Sequence, residues 1–230
     1  MKLFLDSAHV HEIRHALDWW NVDGVTTNPR HIQATGKPFL IVIQEIAQLF
    51  TGTDKPISVE VNPHHDHPDA MAAEAEKLAA LSPNFVIKLP ATEAGFAAIP
   101  LLREKGIRVN LTLVFSPVQA LQAMRMGATY VSPFIGWKEA NAEETRTLIR
   151  EIVRIRDNYR YSTEIIVSAV RNGRQIAEAA IAGADIVTAS FAVYQDAFDH
   201  PYTHEGLRRF QQFWDATPYE KVETEPATAA

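Results

Sequence analysis

The chain has 230 residues, 47% of them hydrophobic, a formal net charge of −6 and no cysteine. That size and composition suffice for one sizeable core, and the lack of cysteine excludes disulfides, thiol catalysis and cysteine-bound zinc. The negative balance argues against nucleic acid as the main partner but leaves room for a small anionic substrate.

No signal-peptide pattern precedes the strand-like Lys2-Leu3-Phe4-Leu5, and no apolar run reaches the ~18 to 20 residues that span a bilayer. A soluble, cytoplasmic protein with no membrane partner is therefore expected. Short apolar runs then recur along the chain at 3–6, 24–27, 57–61, 85–89, 107–112, 130–134, 165–169 and 186–189. Helical periodicity fills the gaps, over 8–20, 39–50, 68–81, 95–104, 117–126, 142–156 and 174–182. Met126-Gly127-Ala128 and Ala182-Gly183-Ala184 place a glycine identically before a strand, as a left-handed helix C-cap does. Eight such units predict an α/β fold, a (β/α)8 barrel, more readily than a doubly wound sheet. A further helix is expected over 205–214, so that residues 1–217 form one domain and 218–230 a frayed tail.

In such a barrel the chemistry gathers where strands end. Polar residues fall there repeatedly: Asp6 on the first run, Thr26, Thr27 and Asn28 on the second, Glu60 on the third, Lys88 on the fourth, Asn110 and Thr112 on the fifth, Ser132 on the sixth, and Arg171 after the seventh. Capping explains one such residue as well as function does, but explains seven converging strands poorly. Lys88 closes the apolar run Phe85-Val86-Ile87. An ordinary lysine has a pKa near ~10.4, and a site that lowered it by ~3 units would raise the neutral, nucleophilic fraction by up to ~10³. Such an amine forms a Schiff base with a carbonyl. The competing readings are a strand-end lysine whose head reaches solvent, and a buried ion pair of Lys88 with Asp6 or Glu60, itself a usable catalytic geometry.

These residues resemble one known family, the class I transaldolases and related fructose-6-phosphate aldolases of the short bacterial type. The likeness runs through Phe4-Leu5-Asp6-Ser7, Gly24-Val25-Thr26-Thr27-Asn28-Pro29, Val86-Ile87-Lys88-Leu89-Pro90, Asn110-Leu111-Thr112-Leu113-Val114-Phe115-Ser116 and Tyr130-Val131-Ser132-Pro133-Phe134-Ile135-Gly136. It implies that Lys88 is the Schiff-base lysine, that Asp6 takes the C4 hydroxyl proton as the C3–C4 bond of a ketose breaks, and that Glu60 and Thr112 hold a relay water. It also implies that Asn28, Asn110 and Ser132 bind the hydroxyls of a dihydroxyacetone unit, with Thr27 beside them. Two positions lean toward group transfer to an aldose such as glyceraldehyde 3-phosphate. The aldolases usually carry tyrosine where this chain has Phe134 and glutamine where it has Glu60. The family also implies a homo-oligomer, a pentamer or decamer, with the helix at 205–214 as the expected contact.

The chain departs from that pattern at the substrate's anionic end. Trp137 stands where the family's arginine is usual and Ala169 where a serine is usual, while Arg171 is kept. Exchanging a guanidinium for an indole removes charge-assisted bonds of roughly 1.5 to 3 kcal/mol. Arg30, Lys138 and Arg174 are candidate replacements, and Ser168 is a candidate for the missing hydroxyl. A sulfonate carries one negative charge against a phosphate's nearly two and needs less compensation, so 6-deoxy-6-sulfofructose stands beside fructose 6-phosphate as an expected donor. The rivals are an aldolase that releases free dihydroxyacetone and a non-catalytic barrel that binds a sugar phosphate. His64-His65-Asp66-His67 has no metal-site spacing and reads as a solvated helix start capped near Asp66 or His67. No glycine-rich nucleotide motif is present, so neither cofactor nor metal is expected.

Overall fold

The computed structural model is described for residues 1–218, leaving aside the side chain of Arg146. The first half runs β1 (Lys2–Asp6), α1 (Val10–Trp20), β2 (Gly24–Thr26), α2 (Pro29–Ala34), α3 (Phe39–Leu49), β3 (Ile57–Glu60), α4 (Pro68–Ala79), β4 (Phe85–Pro90) and α5 (Glu93–Glu104). The second runs β5 (Val109–Val114), α6 (Pro117–Met126), β6 (Tyr130–Pro133), α7 (Gly136–Ala140), α8 (Arg146–Tyr159), β7 (Glu164–Val170), α9 (Gly173–Ala182), β8 (Ile186–Ala189), α10 (Phe191–Phe198) and α11 (Pro201–Ala216). All eight strands pair in parallel with their sequence neighbours, and β8 returns to β1, closing the barrel. This is the expected (β/α)8 fold. Among the described residues no helix is long and apolar enough to cross a membrane.

The local chemistry explains where helices begin and end. Asn28, Thr92, Ser116 and Asn172 each accept a backbone N–H at a helix start, and Pro29, Pro68, Pro117 and Pro201 occupy first-turn positions whose N–H has no intrahelical partner. Gly127 and Gly183 end α6 and α9 in left-handed conformation, as their placement in the sequence predicted. His67 caps α4, so the histidine-rich stretch is a helix start. Three elements were not anticipated: α2, α7 and α10 follow the second, sixth and eighth strands. The helix expected from 142 begins at Arg146, and the expected strand 107–112 is displaced to Val109–Val114.

The inside of the barrel has two tiers, because side chains two residues apart on a strand share a face. Phe4, Val86, Tyr130, Ile166 and Ile186 form an apolar floor separate from the main core between sheet and helices. Phe4 and Tyr130 meet edge to face with ring centroids 6.3 Å apart. Gly24 makes room for this floor, since a Cβ there would lie 2.8 Å from the Phe4 ring. Two residues further along each of these strands the side chain is polar: Asp6, Thr26, Lys88, Ser132, Ser168 and Thr188.

From α10, fully buried Tyr194 donates to the Phe4 carbonyl at 2.9 Å and lies 3.3 Å from the Val187 carbonyl, joining the helix to β1 and β8. Burial, and then the negative charges of Asp23 and Asp6, push its phenol up, so it remains a donor. Removing the hydroxyl leaves buried carbonyl groups short of a donor. Tyr194→Phe is expected to cost about 1 to 3 kcal/mol, read as a lower urea midpoint with an unchanged m-value.

Candidate active site

Every strand sends one polar side chain into a pocket of about 720 Å³ at the C-terminal end of the barrel: Asp6, Thr26, Glu60, Lys88, Thr112, Ser132, Ser168 and Thr188. A larger ring comes from the loops and short helices that follow, with Asn28, Arg30 and His31 on one side and Phe134, Trp137 and Arg171 on another.

Lys88 is 4% exposed. Glu60 and Lys88 are register partners on β3 and β4, and Lys88 Nζ lies 3.1 Å from Glu60 Oε2 while donating to the Thr27 carbonyl at 2.9 Å. A buried ammonium loses its hydration, and a carboxylate and a carbonyl here take the place of water. The pairing anticipated for Lys88 therefore exists with Glu60. Asp6 makes other contacts: its Oδ1 accepts from Thr26 Oγ1 at 2.8 Å and its Oδ2 lies 3.1 Å from His31 Nε2. Thr26 in turn meets Thr188, oxygen to oxygen, at 2.6 Å.

Two residues expected at the substrate lie beneath the wall. Thr27 turns its hydroxyl to the Ser58 carbonyl at 2.8 Å and contributes its own carbonyl to Lys88. Asn110 is fully buried, accepting the Ser132 hydroxyl at 2.7 Å and donating to Ser58 Oγ at 3.1 Å. It orients Ser132, which does line the pocket. Thr112 Oγ1 is the one buried side-chain polar atom among the described residues with no partner, a hydroxyl still able to donate and accept.

The strands β5 and β7 reach the mouth through bulges, at which Leu113 and Ala169 hold φ of 58° and 59°. Left-handed backbone at a non-glycine residue is strained, and such strain concentrates at functional sites. The second bulge docks α7. A Cβ on Gly136 would lie 2.1 Å from the Ala169 carbonyl oxygen and 2.9 Å from Arg171 Nε, so only glycine permits this approach. Glu139 of α7 accepts from Gln175, whose Oε1 takes the Arg171 backbone N–H at 2.6 Å. These contacts hold Arg171 beside Trp137. Phe115, Phe134 and Trp137 form an aromatic group with centroid separations of 5.6 to 5.9 Å.

Of the other expected anion ligands, Arg30 and Arg171 line the pocket, whereas Lys138 is paired with Glu143 and Arg174 with Glu178, away from it. Ser168 lines the pocket with its hydroxyl donated to the Ile166 carbonyl at 3.1 Å. His31 and Thr188 were not singled out from the sequence. The inward phase of Ile186 pointed to Thr188, while His31 reaches the site only through the turn that Asn28 caps.

Residues 3–229 match the family described as Transaldolase/Fructose-6-phosphate aldolase. A 6-deoxy-6-sulfo-D-fructose transaldolase of Priestia aryabhattai is 55% identical over 94% of this chain and 96% of its own length. A probable transaldolase of Dictyoglomus turgidum is 45% identical over 95% of this chain and all of its own. Thiamine phosphate pyrophosphorylase from Pyrococcus furiosus shares the fold, with a TM-score of 0.60 at 18% identity over 92% of this chain and 96% of its own.

Burial by itself would raise the Asp6 carboxyl, but the His31 hydrogen bond and charge, the Lys88 charge and the Thr26 hydroxyl together hold it below its ordinary value of 3.8. A folded-state value below the unfolded one means that this cluster's stabilisation is complete above roughly pH 5 and is lost as pH falls through the folded value. The difference in urea midpoint between the wild type and Asp6→Asn is therefore expected to be largest near neutrality and to shrink as pH drops below 3.8.

Proposed function

Because the chain belongs to the transaldolase/fructose-6-phosphate aldolase family, we propose that the barrel mouth moves a dihydroxyacetone unit from a ketose with a terminal anion to an aldehyde acceptor such as glyceraldehyde 3-phosphate, by a Schiff base on Lys88. The enzyme is a transaldolase acting on small sugars. The observation that carries the residue assignment is the buried Lys88 amine opening into the pocket with Glu60 at 3.1 Å.

In this reading Lys88 passes a proton to the facing Glu60 carboxylate, the freed amine adds to the ketose C2 carbonyl, and the carbinolamine loses water with Glu60 and Thr112 returning and relaying protons. The unpartnered Thr112 hydroxyl supports that role. Asp6 takes the C4 hydroxyl proton, the C3–C4 bond breaks, and its electron pair passes toward the iminium nitrogen. The aldose leaves and the enamine stays on Lys88 until an acceptor aldehyde arrives. Asn28 and Ser132 hold hydroxyls of the retained unit, and Asn110 acts through Ser132. Phe134 offers no proton to release the enamine as free dihydroxyacetone, which favours transfer over the aldolase reaction.

For the terminal anion we infer a sulfonate. Arg30 and Arg171 are the cations on the pocket wall, Trp137 adds one neutral N–H, and Ala169 adds no hydroxyl. A neutral indole N–H at Trp137 and no hydroxyl at Ala169 suit a singly charged sulfonate better than a phosphate dianion. The relative that is 55% identical is a transaldolase of 6-deoxy-6-sulfo-D-fructose, which supports the same substrate here. Sugars with a fixed charge do not cross membranes unaided, so the reading also puts the enzyme in the cytoplasm with them.

We infer a homo-oligomer as well, a pentamer or decamer. No residue of α11 is buried, yet Leu207, Phe210, Phe213 and Trp214 share one side of it, with Phe210 71% exposed. A second copy of the chain is the expected cover. The double substitution Phe210→Glu with Phe213→Glu is expected to lower the sedimentation mass, and an unchanged mass would remove this surface from the assembly.

Borohydride reduction in the presence of fructose 6-phosphate or 6-deoxy-6-sulfofructose is expected to leave an adduct that peptide mapping locates on Lys88 and that Lys88→Met abolishes. An adduct elsewhere, or none, would end the assignment. The sulfonate donor is expected to have the higher kcat/KM, and Trp137→Arg to move the ratio toward the phosphate by about tenfold or more.

A further inference from the structure

We propose that His31 is a positioning residue for the reaction proposed above, holding the Asp6 carboxylate aimed and ionised so that it receives the C4 hydroxyl proton. The inference rests on that reading of Asp6 and adds a residue to it. His31 occupies the third position of α2, and its backbone N–H satisfies the Asn28 cap at 3.0 Å. Any residue but proline supplies that N–H, so the cap leaves the imidazole without a structural duty of its own. The ring instead spans 25 positions of sequence to place Nε2 3.1 Å from Asp6 Oδ2. Both side chains are only about a quarter exposed, at 24% and 22%, and both line the pocket.

Asp6 is then fixed from two sides, by Thr26 on Oδ1 and His31 on Oδ2, with a second lone pair still available on each oxygen. A carboxylate on a short side chain rotates about χ2 unless it is held so. With its proton on Nε2 the imidazole donates whether neutral or protonated, so the contact survives across neutral pH. During cleavage the C4 O–H proton passes to Asp6, the C4–O bond becomes a carbonyl, and the C3–C4 electron pair becomes the enamine on Lys88. In the second half-reaction Asp6 returns that proton to the acceptor's oxygen as the new bond forms. No oxidant or other co-reactant is needed.

The titratable groups around the pair are few. Lys88 on β4, neutralised by Glu60 on β3, faces Asp6 across the barrel. Tyr194 on α10, with Asp23 beyond it, stays neutral. Arg30 precedes His31 on the same pocket wall. The His31 contact is the strongest of the influences that lower the Asp6 carboxyl. Its removal leaves burial opposed only by Lys88 and Thr26, so Asp6 binds its proton at higher pH.

The test compares the full-length wild type with His31→Leu and His31→Gln, using borohydride trapping with dihydroxyacetone and the pH profile of kcat/KM for transfer. His31→Leu is expected to trap on Lys88 as the wild type does, because Schiff-base formation does not use Asp6. Its turnover is expected to fall by ~10 to 100-fold, and the acidic limb of its profile to move to higher pH. His31→Gln keeps an N–H donor without the charge and is expected to recover most of the turnover, with the limb between the two. Unchanged turnover in His31→Leu, or a loss of trapping and turnover together with no movement of the limb in either variant, would overturn the proposal. Failure of the wild type itself to trap would instead overturn the Schiff-base assignment.

Discussion

A charged amine buried at the mouth of a barrel is the constraint on which the site depends. An ammonium removed from water costs several kcal/mol, on the order of what one or two good core side chains contribute, unless fixed partners replace the solvent. Glu60 and the Thr27 carbonyl are those partners for Lys88, and each is fixed in turn. Glu60 sits in register with Lys88 on the adjoining strand, and the Thr27 hydroxyl is tied back to Ser58. Ser58 also receives the Asn110 amide, and Asn110 receives the Ser132 hydroxyl. One continuous set of hydrogen bonds thus links four strands behind the pocket, so that the lysine's surroundings and the expected substrate contacts are held by the same groups.

The opposite side of the pocket is built with different means. Asp6 is held by side chains from β2 and α2, and the rim near Arg171 and Trp137 by a bulge, a glycine contact and the Glu139–Gln175 pair. The surroundings of Lys88 and the rim near Arg171 and Trp137 are therefore held by separate contacts, whereas α2 carries both His31, which meets Asp6, and the pocket-lining Arg30.

Most of the fold was legible because βα alternation and glycine C-caps are written locally in the chain. The site residues on strands were legible for a related reason. A polar residue two places after an apolar one near the end of a strand, as with Phe4 and Asp6 or Val86 and Lys88, marks a barrel interior that changes from floor to mouth. The same phase would have found Thr188 after Ile186. What escaped was short or non-local. Helices α2, α7 and α10 have six, five and eight residues, too few for a period to show, although Asn28-Pro29 carried a cap signal. The bulges extended β5 and β7 past Thr112 and Ala169, and no sequence pattern fixes left-handed backbone at Leu113 and Ala169. The contact of His31 with Asp6 depends on where α2 is docked. Thr27 and Asn110 were given the right neighbourhood, but their depth follows from tertiary hydrogen bonds. Of the expected tail at 218–230, all but Pro218 lies outside the described residues.

The two-tiered interior also bears on how such a protein changes over generations. Its floor, where Phe4 meets Tyr130 and packs over Gly24, contributes no residue to the lining of the pocket. The upper tier and its loops can therefore accumulate substitutions without loosening the closure beneath them. What the pocket admits is set at a rim that the closure below does not depend on, so a changed lining comes at little risk to folding.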